Sequence, residues 1–195
     1  MTDVATIMGL DVAFAHLGYA VRSVDDIRII AAGVLCPEDM PAKQHRKGLF
    51  KSDMDYVRYL SWYRMTHALL AKHRPIAVIM ELPTGGAQNS SAMAKMAAAA
   101  ALMAALEVAF SDTLFLSVTP GEVKQAAVGK NTGSKAEIIA AATTFHPEIR
   151  DFKIGKTLME HACDAAMALR AGLLDDNNKR ILPSVRTEPL EIDEL

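Results

Sequence analysis

Asp11 and Glu81 each stand at the end of an apolar run, and His161 and Asp164 lie three apart in His161-Ala162-Cys163-Asp164. Brought together, these four side chains make an oxygen-rich, acidic pocket. Hard divalent cations prefer carboxylate oxygens, and a pair of such ions steadies both the attacking and the leaving oxygen of a phosphodiester. The chemistry on offer is therefore metal-dependent phosphodiester hydrolysis.

Side chains this far apart in sequence need a layered fold to bring them together. Residues 4–14, 17–24 and 27–35 are β-branched or apolar runs with short breaks, which predicts three strands joined by tight turns and paired antiparallel. Residues 36–51 hold two prolines, a glycine and many charges and read as a loop. Ser52 can cap a helix that ends before Pro75. On it Tyr56, Leu60, Tyr63 and Leu70 fall near one face and predict a core stripe, with Tyr59 and Trp62 left as candidates for base stacking. Residues 76–82 read as a central strand buried on both faces. It closes at Glu81, and a buried carboxylate needs a partner or a metal.

After the loop Pro83-Thr84-Gly85-Gly86, residues 89–110 predict a long helix containing an unbroken alanine run, Ala97 to Ala101. Small side chains there suit a packed core or a dimer interface equally. Residues 114–118 predict another strand, followed by Thr119-Pro120-Gly121-Glu122, a capping box with proline at the first helical position. Residues 129–133 break that helix, and Ser134-Lys135-Ala136-Glu137 is a second capping box opening a helix through Phe145. Lys124 and Lys135 thus sit near helix N-termini, where the dipole disfavours a cation and a bound phosphate would compensate. Taken singly, they also suit a plain surface. The last helix is predicted over 157–174, with Thr157 and Glu160 spaced as a third capping box. His161 and Asp164 share a face of it, and Ala162, Ala165 and Ala168 would let it lie close to a sheet. A lone histidine there would be structural; with three acids it reads as a metal site.

The length of 195 residues fits one domain, and the hydrophobic fraction of 51% is ordinary for an α/β protein. No apolar run reaches the roughly 18 residues of a spanning helix, so no membrane partner is expected. Met1-Thr2-Asp3-Val4 has no basic segment ahead of its apolar run, which leads us to expect no secretory signal and a cytoplasmic location. Cys36 and Cys163 are too few and too far apart for a disulfide framework or a zinc site and are expected to be reduced thiols without a catalytic role. The net charge of −2 conceals segregation. Between Lys43 and Arg74 eight basic residues face two acidic ones, whereas from Asp175 to Leu195 six acidic residues face three basic ones. The central region has the charge of a nucleic-acid footprint, and a solvated face with a flexible acidic tail is the plainer alternative.

These residues resemble those of the RuvC-type Holliday junction resolvases, members of the ribonuclease-H-like superfamily. Ile7-Met8-Gly9-Leu10-Asp11 followed by Gly18-Tyr19-Ala20-Val21 is similar to the family's first hairpin, Glu81 to its strand-closing glutamate, and 119–129 to its most recognisable segment. His161 to Leu169 is similar to its closing helix, in the variant with histidine at the first position. The resemblance implies an α/β fold with a mixed five-stranded sheet, three antiparallel N-terminal strands plus two parallel ones, flanked by helices. It implies a RuvC-like nuclease domain over 1–174, to which the chain adds a basic loop insertion at 36–52 and an acidic tail over 175–195, expected to be flexible. Asp11, Glu81 and Asp164 would hold two Mg²⁺ or Mn²⁺ ions per site, His161 would ligate one ion or orient water, and Lys124 and Lys135 would neutralise phosphate. Lys43, Arg46, Lys47, Lys51 and Lys130 would contact DNA. The implied partners are branched DNA, especially four-way junctions, a second copy of the chain, and a branch-migration motor.

The chain departs from the family in four places. Val12 and Ala13 follow Asp11 where proline and glycine are usual, and Leu82 to Gly86 replace the aromatics that often follow the glutamate. The loop at 36–51 is longer and basic in its second half, and the acidic tail has no counterpart. Rival readings are a viral-type nuclease for flaps, forks or three-way junctions, a non-catalytic branched-DNA-binding protein, and a sugar-kinase-like ATP-binding relative. The last predicts a glycine-rich loop after the first aspartate, which Val12-Ala13-Phe14-Ala15 does not supply.

Overall fold

In the computed structural model, β1 (Thr6–Val12), β2 (Leu17–Ser23) and β3 (Ile29–Leu35) form the expected antiparallel meander. The structure describes residues 5–12, 16–36, 51–82 and 90–182. Two further strands, β4 (Pro75–Glu81) and β5 (Leu114–Val118), join in parallel on the other side of β1, so the sheet order is β3-β2-β1-β4-β5. Helices cover both faces. Alternate residues of the central strands serve opposite layers, as the two-residue period of a strand requires. Ile7, Ala77 and Ile79 pack with α3 (Pro120–Val128), α4 (Lys135–Phe145) and α5 (Met159–Leu174), whereas Met8, Leu10, Val78 and Met80 pack with α1 (Lys51–His73) and α2 (Ser90–Ala109).

Two helix starts follow local sequence closely. At α3 the Glu122 backbone N–H donates to Thr119 Oγ1 at 3.2 Å and the Thr119 N–H donates back to the Glu122 carboxylate at 2.6 Å. Ser134 and Glu137 repeat the exchange at α4, at 3.3 and 2.7 Å. The third box does not form. α5 begins at Met159 behind Leu158, which makes no side-chain capping bond, and the entry is closed by Leu158 and Met159 N–H groups donating to Gly155 O. A local turn closed on Gly155 O stands at the start of α5 in place of the Thr157–Glu160 pair.

The core face of α1 is rotated from the one expected. Trp62, Leu69 and Leu70 are buried, with Tyr59 and Tyr63 packed against them, while Tyr56 is 66% exposed. The series 59, 62, 63, 66, 69 and 70 follows the i, i+3, i+4, i+7 spacing of one face more closely than 56, 60, 63 and 70 do. Trp62 belongs to the core and is not available for base stacking.

Regular structure also continues past residue 174. Asp175 accepts from the Asn177 and Asn178 N–H groups to cap α6 (Asp176–Ile181), the Asn178 amide donates to Gly172 O at 3.0 Å, and Leu182 is buried. The segment expected to be a flexible tail from residue 175 therefore begins as part of the fold; residues 183–195 lie outside the described ones. A 3₁₀ turn over Pro147–Asp151 was likewise not expected. Among the described residues no helix is long and apolar enough to cross a membrane.

Candidate active site

Asp11 and Glu81 are register partners at the C-terminal ends of the parallel strands β1 and β4. That is where open α/β sheets bind their ligands. Glu81 pairs on its other side with Val118, the last residue of β5, and α3 with Lys124 follows directly. The remaining two side chains arrive on α5, whose approach to the sheet depends on two glycines. A Cβ on Gly18 would lie 1.9 Å from the His161 carbonyl oxygen, and one on Gly9 would lie 2.1 Å from that of Ala165. Glycine at both positions lets the helix backbone rest on the β1–β2 hairpin, which delivers His161 and Asp164 to the strand ends.

Within this cleft His161 Nδ1 donates to Asp11 Oδ2 at 2.8 Å, and both side chains are largely buried. The bond to Asp11 holds the His161 pKa above its ordinary value, against the opposing effect of burial. Its second nitrogen, Nε2, is 3.8 Å from Glu160, which in turn accepts from Lys135 Nζ at 2.9 Å. Burial, followed by the charges of Asp11 and Asp164, pushes Glu81 up to about 8, with Lys124 partly offsetting. Burial and Asp11 push Asp164 up to about 7. Burial likewise drives the Cys163 thiol up to about 12, so it stays an inert thiol.

No three His, Cys, Asp or Glu side chains among the described residues are gathered as tightly as one ion's coordination sphere requires. The donor set nonetheless fits a hard divalent cation in kind. Three carboxylates share one buried strand-end cleft, and two of them are pushed toward neutrality by burial and mutual repulsion, a cost that a cation relieves.

The raised pKa of Glu81 has a consequence for stability. A carboxyl whose folded-state value exceeds its unfolded value stabilises the fold while protonated, and that stability is lost as pH rises from the unfolded 4.5 through the folded value of about 8. In EDTA, Glu81→Gln is therefore expected to melt above the parent protein at pH 8, by ~4–8 °C for a relieved cost of ~2 kcal/mol, and to lose that advantage near pH 4.5. Equal melting temperatures at pH 8, measured by circular dichroism, would show that neither burial nor the neighbouring carboxylates penalise the Glu81 charge.

The other residues singled out in the sequence are distributed unevenly. Lys124 is half-buried on α3 with its charge acting on Glu81, and Lys135 is exposed on α4, held by Glu160. Lys130, expected to contact DNA, is exposed and paired with Glu137 at 2.9 Å. Lys43, Arg46 and Lys47 lie outside the described residues, as does the Lys51 side chain. Two residues near the site carried no functional signal in the sequence. Glu160 read as part of a helix cap, and His16, five residues after Asp11, had no pattern around it; its ring lies 5.2 Å from that of His161.

The fold has counterparts among solved structures. RuvC of Thermus thermophilus matches over 93% of this chain and 98% of its own, at 17% identity and a TM-score of 0.59. T. thermophilus RuvC in complex with a Holliday junction substrate matches over 84% of this chain and 92% of its own, at 16% identity and a TM-score of 0.59. The chain has the RuvC fold. No family model matches the sequence, and no curated protein does. At such low identity the RuvC likeness speaks for the fold: the expected ribonuclease-H-like mixed five-stranded sheet flanked by helices.

Proposed function

We propose that this protein is a structure-selective DNA endonuclease that resolves four-way junctions by paired, metal-dependent phosphodiester hydrolysis. The observation that carries the reading is the convergence of Asp11, Glu81 and Asp164 at the strand ends of a RuvC fold, close enough for their charges to raise Glu81 and Asp164. These carboxylates would hold Mg²⁺ or Mn²⁺, which when bound supplies neutralisation of charge on the phosphodiester. His161, with Nδ1 committed to Asp11, has Nε2 left as a ligand or as the group that orients attacking water. Lys124 and Lys135 neutralise phosphate, Lys135 after exchanging Glu160 for DNA.

Two symmetric cuts call for two sites related by a two-fold axis, hence a homodimer. On α2, Ala97, Ala100, Ala101, Ala104, Ala105 and Val108 form one exposed, uncharged stripe, with Val108 84% exposed. That stripe is the proposed interface, and a branch-migration motor acting on the same DNA is a candidate partner in the cytoplasm.

Labelled four-way, three-way and flap DNAs incubated in EDTA, Mg²⁺ or Mn²⁺ test the reading. Paired symmetric nicks in the four-way junction are expected with metal and none in EDTA, with Mn²⁺ favoured because an imidazole ligand suits it better. Nicks confined to flaps or three-way DNA would favour the related branched-DNA nuclease, consistent with Leu82 standing where the family often has an aromatic. Binding without any cleavage would leave a branched-DNA-binding protein.

A further inference from the structure

His16 opens the approach to β2, two residues before Gly18, where α5 comes nearest the hairpin. Its ring meets that of His161 with centroids 5.2 Å apart and planes tilted by 49°. Separation and tilt fall in the attractive range for aromatic pairs. Behind it, His16 Nδ1 is hydrogen-bonded to Cys36 Sγ at 3.3 Å, from the residue that follows β3. The leading ends of the site are thus linked across three strands: Asp11 near the end of β1 holds His161 Nδ1, His16 before β2 lies against the ring, and Cys36 after β3 steadies His16.

An imidazole held by one hydrogen bond retains a soft torsion about its Cβ–Cγ bond, and a half-turn exchanges a nitrogen for a carbon at the position that faces the acceptor. We propose that His16 is a positioning residue that blocks this half-turn and keeps His161 on Asp11, with Cys36 fixing His16 in turn. The role rests on the reading of His161 as part of a nuclease site. It asks no bond-making of His16 or Cys36, only that their side chains restrict where the His161 ring can point.

The test reads His161 in the full-length, metal-free protein, by nitrogen-labelled histidine NMR, independently of any cleavage. In the parent protein the Nδ1 proton shared with Asp11 is expected as a slowly exchanging low-field signal. His16→Ala should speed its exchange about three- to tenfold, the factor set by losing an aromatic pair. His16→Phe, which keeps a ring at that place, should restore it, and Cys36→Ala should shift the His16 resonances and give an intermediate change at His161. In junction cleavage the same order should appear in kcat, with KM unchanged. Unaltered His161 exchange in His16→Ala would overturn the proposal even if the protein cleaves junctions, whereas ordered exchange rates in a protein that cleaves nothing would uphold it and defeat the nuclease reading instead. Should His16→Ala fail to fold, unchanged His161 exchange in Cys36→Ala would overturn it, and faster exchange there would support it.

Discussion

Asp11→Asn is expected to lower junction cleavage by about 10³-fold or more while leaving the fold and junction binding in place. Asp11 acts on each of the other three side chains. It accepts the His161 hydrogen bond, and its charge acts on both Glu81 and Asp164. Asparagine keeps its volume and presents a carbonyl oxygen to His161, so packing survives. It removes the charge that a divalent ion needs, and the two remaining carboxylates lose a repelling neighbour. The metal-free variant should therefore be no less stable than the parent, and its affinity for the polyanionic junction should hold or rise. Single-turnover cleavage of labelled junctions, paired with gel shifts in EDTA, checks both halves. Parent-like cleavage by a homogeneous preparation would remove Asp11 from the chemistry.

Gly18→Ala should destabilise the protein by about 3–5 kcal/mol, enough to lower its melting temperature by roughly 10 °C or prevent folding. The added methyl would sit 1.9 Å from the His161 carbonyl oxygen, well inside contact distance, and the obstacle is backbone that no rotamer change can move. Nor can α5 slide away, because it makes the same close approach at Gly9 against Ala165 O. Gly155→Ala is the matched control: nothing lies within 4 Å of its added carbon, and it should melt with the parent. Urea unfolding of the three proteins decides the matter. A Gly18→Ala midpoint equal to that of Gly155→Ala would mean that helix and hairpin are not in backbone contact.

Where structure depends on neighbouring residues, the sequence was easily read. The reciprocal caps at Thr119–Glu122 and Ser134–Glu137 formed as their spacing implied, since each needs only a four-residue segment to close. The strands and the antiparallel pairing of the first three were legible from apolar runs and short breaks, but the mixed five-stranded sheet came from family resemblance, because periodicity says nothing about how the later strands join. Errors gathered where long-range packing decides. Tyr56 turned outward and Trp62 inward because the sheet selected the face of α1; the late start of α5 is by contrast local, its entry closed by Gly155 O.

The site was partly legible for the same reason. Carboxylates at strand ends are conspicuous because burial makes them costly, and Asp11, Glu81, His161 and Asp164 could all be named. His16 and Glu160 carry no such mark: the contact of His16 with His161 spans most of the chain, and no local pattern announces it.

The contact of α5 with the hairpin sets a distance with main-chain atoms alone. Side-chain packing normally lets a helix drift as core residues are exchanged for larger or smaller ones over generations. Here the gap between β1–β2 and α5 is bounded by carbonyl oxygens and glycine α-carbons, whose radii no substitution elsewhere can alter. The spacing of His161 and Asp164 from Asp11 is thereby insulated from turnover of the core, so the chain can diverge almost everywhere else and keep these side chains in register.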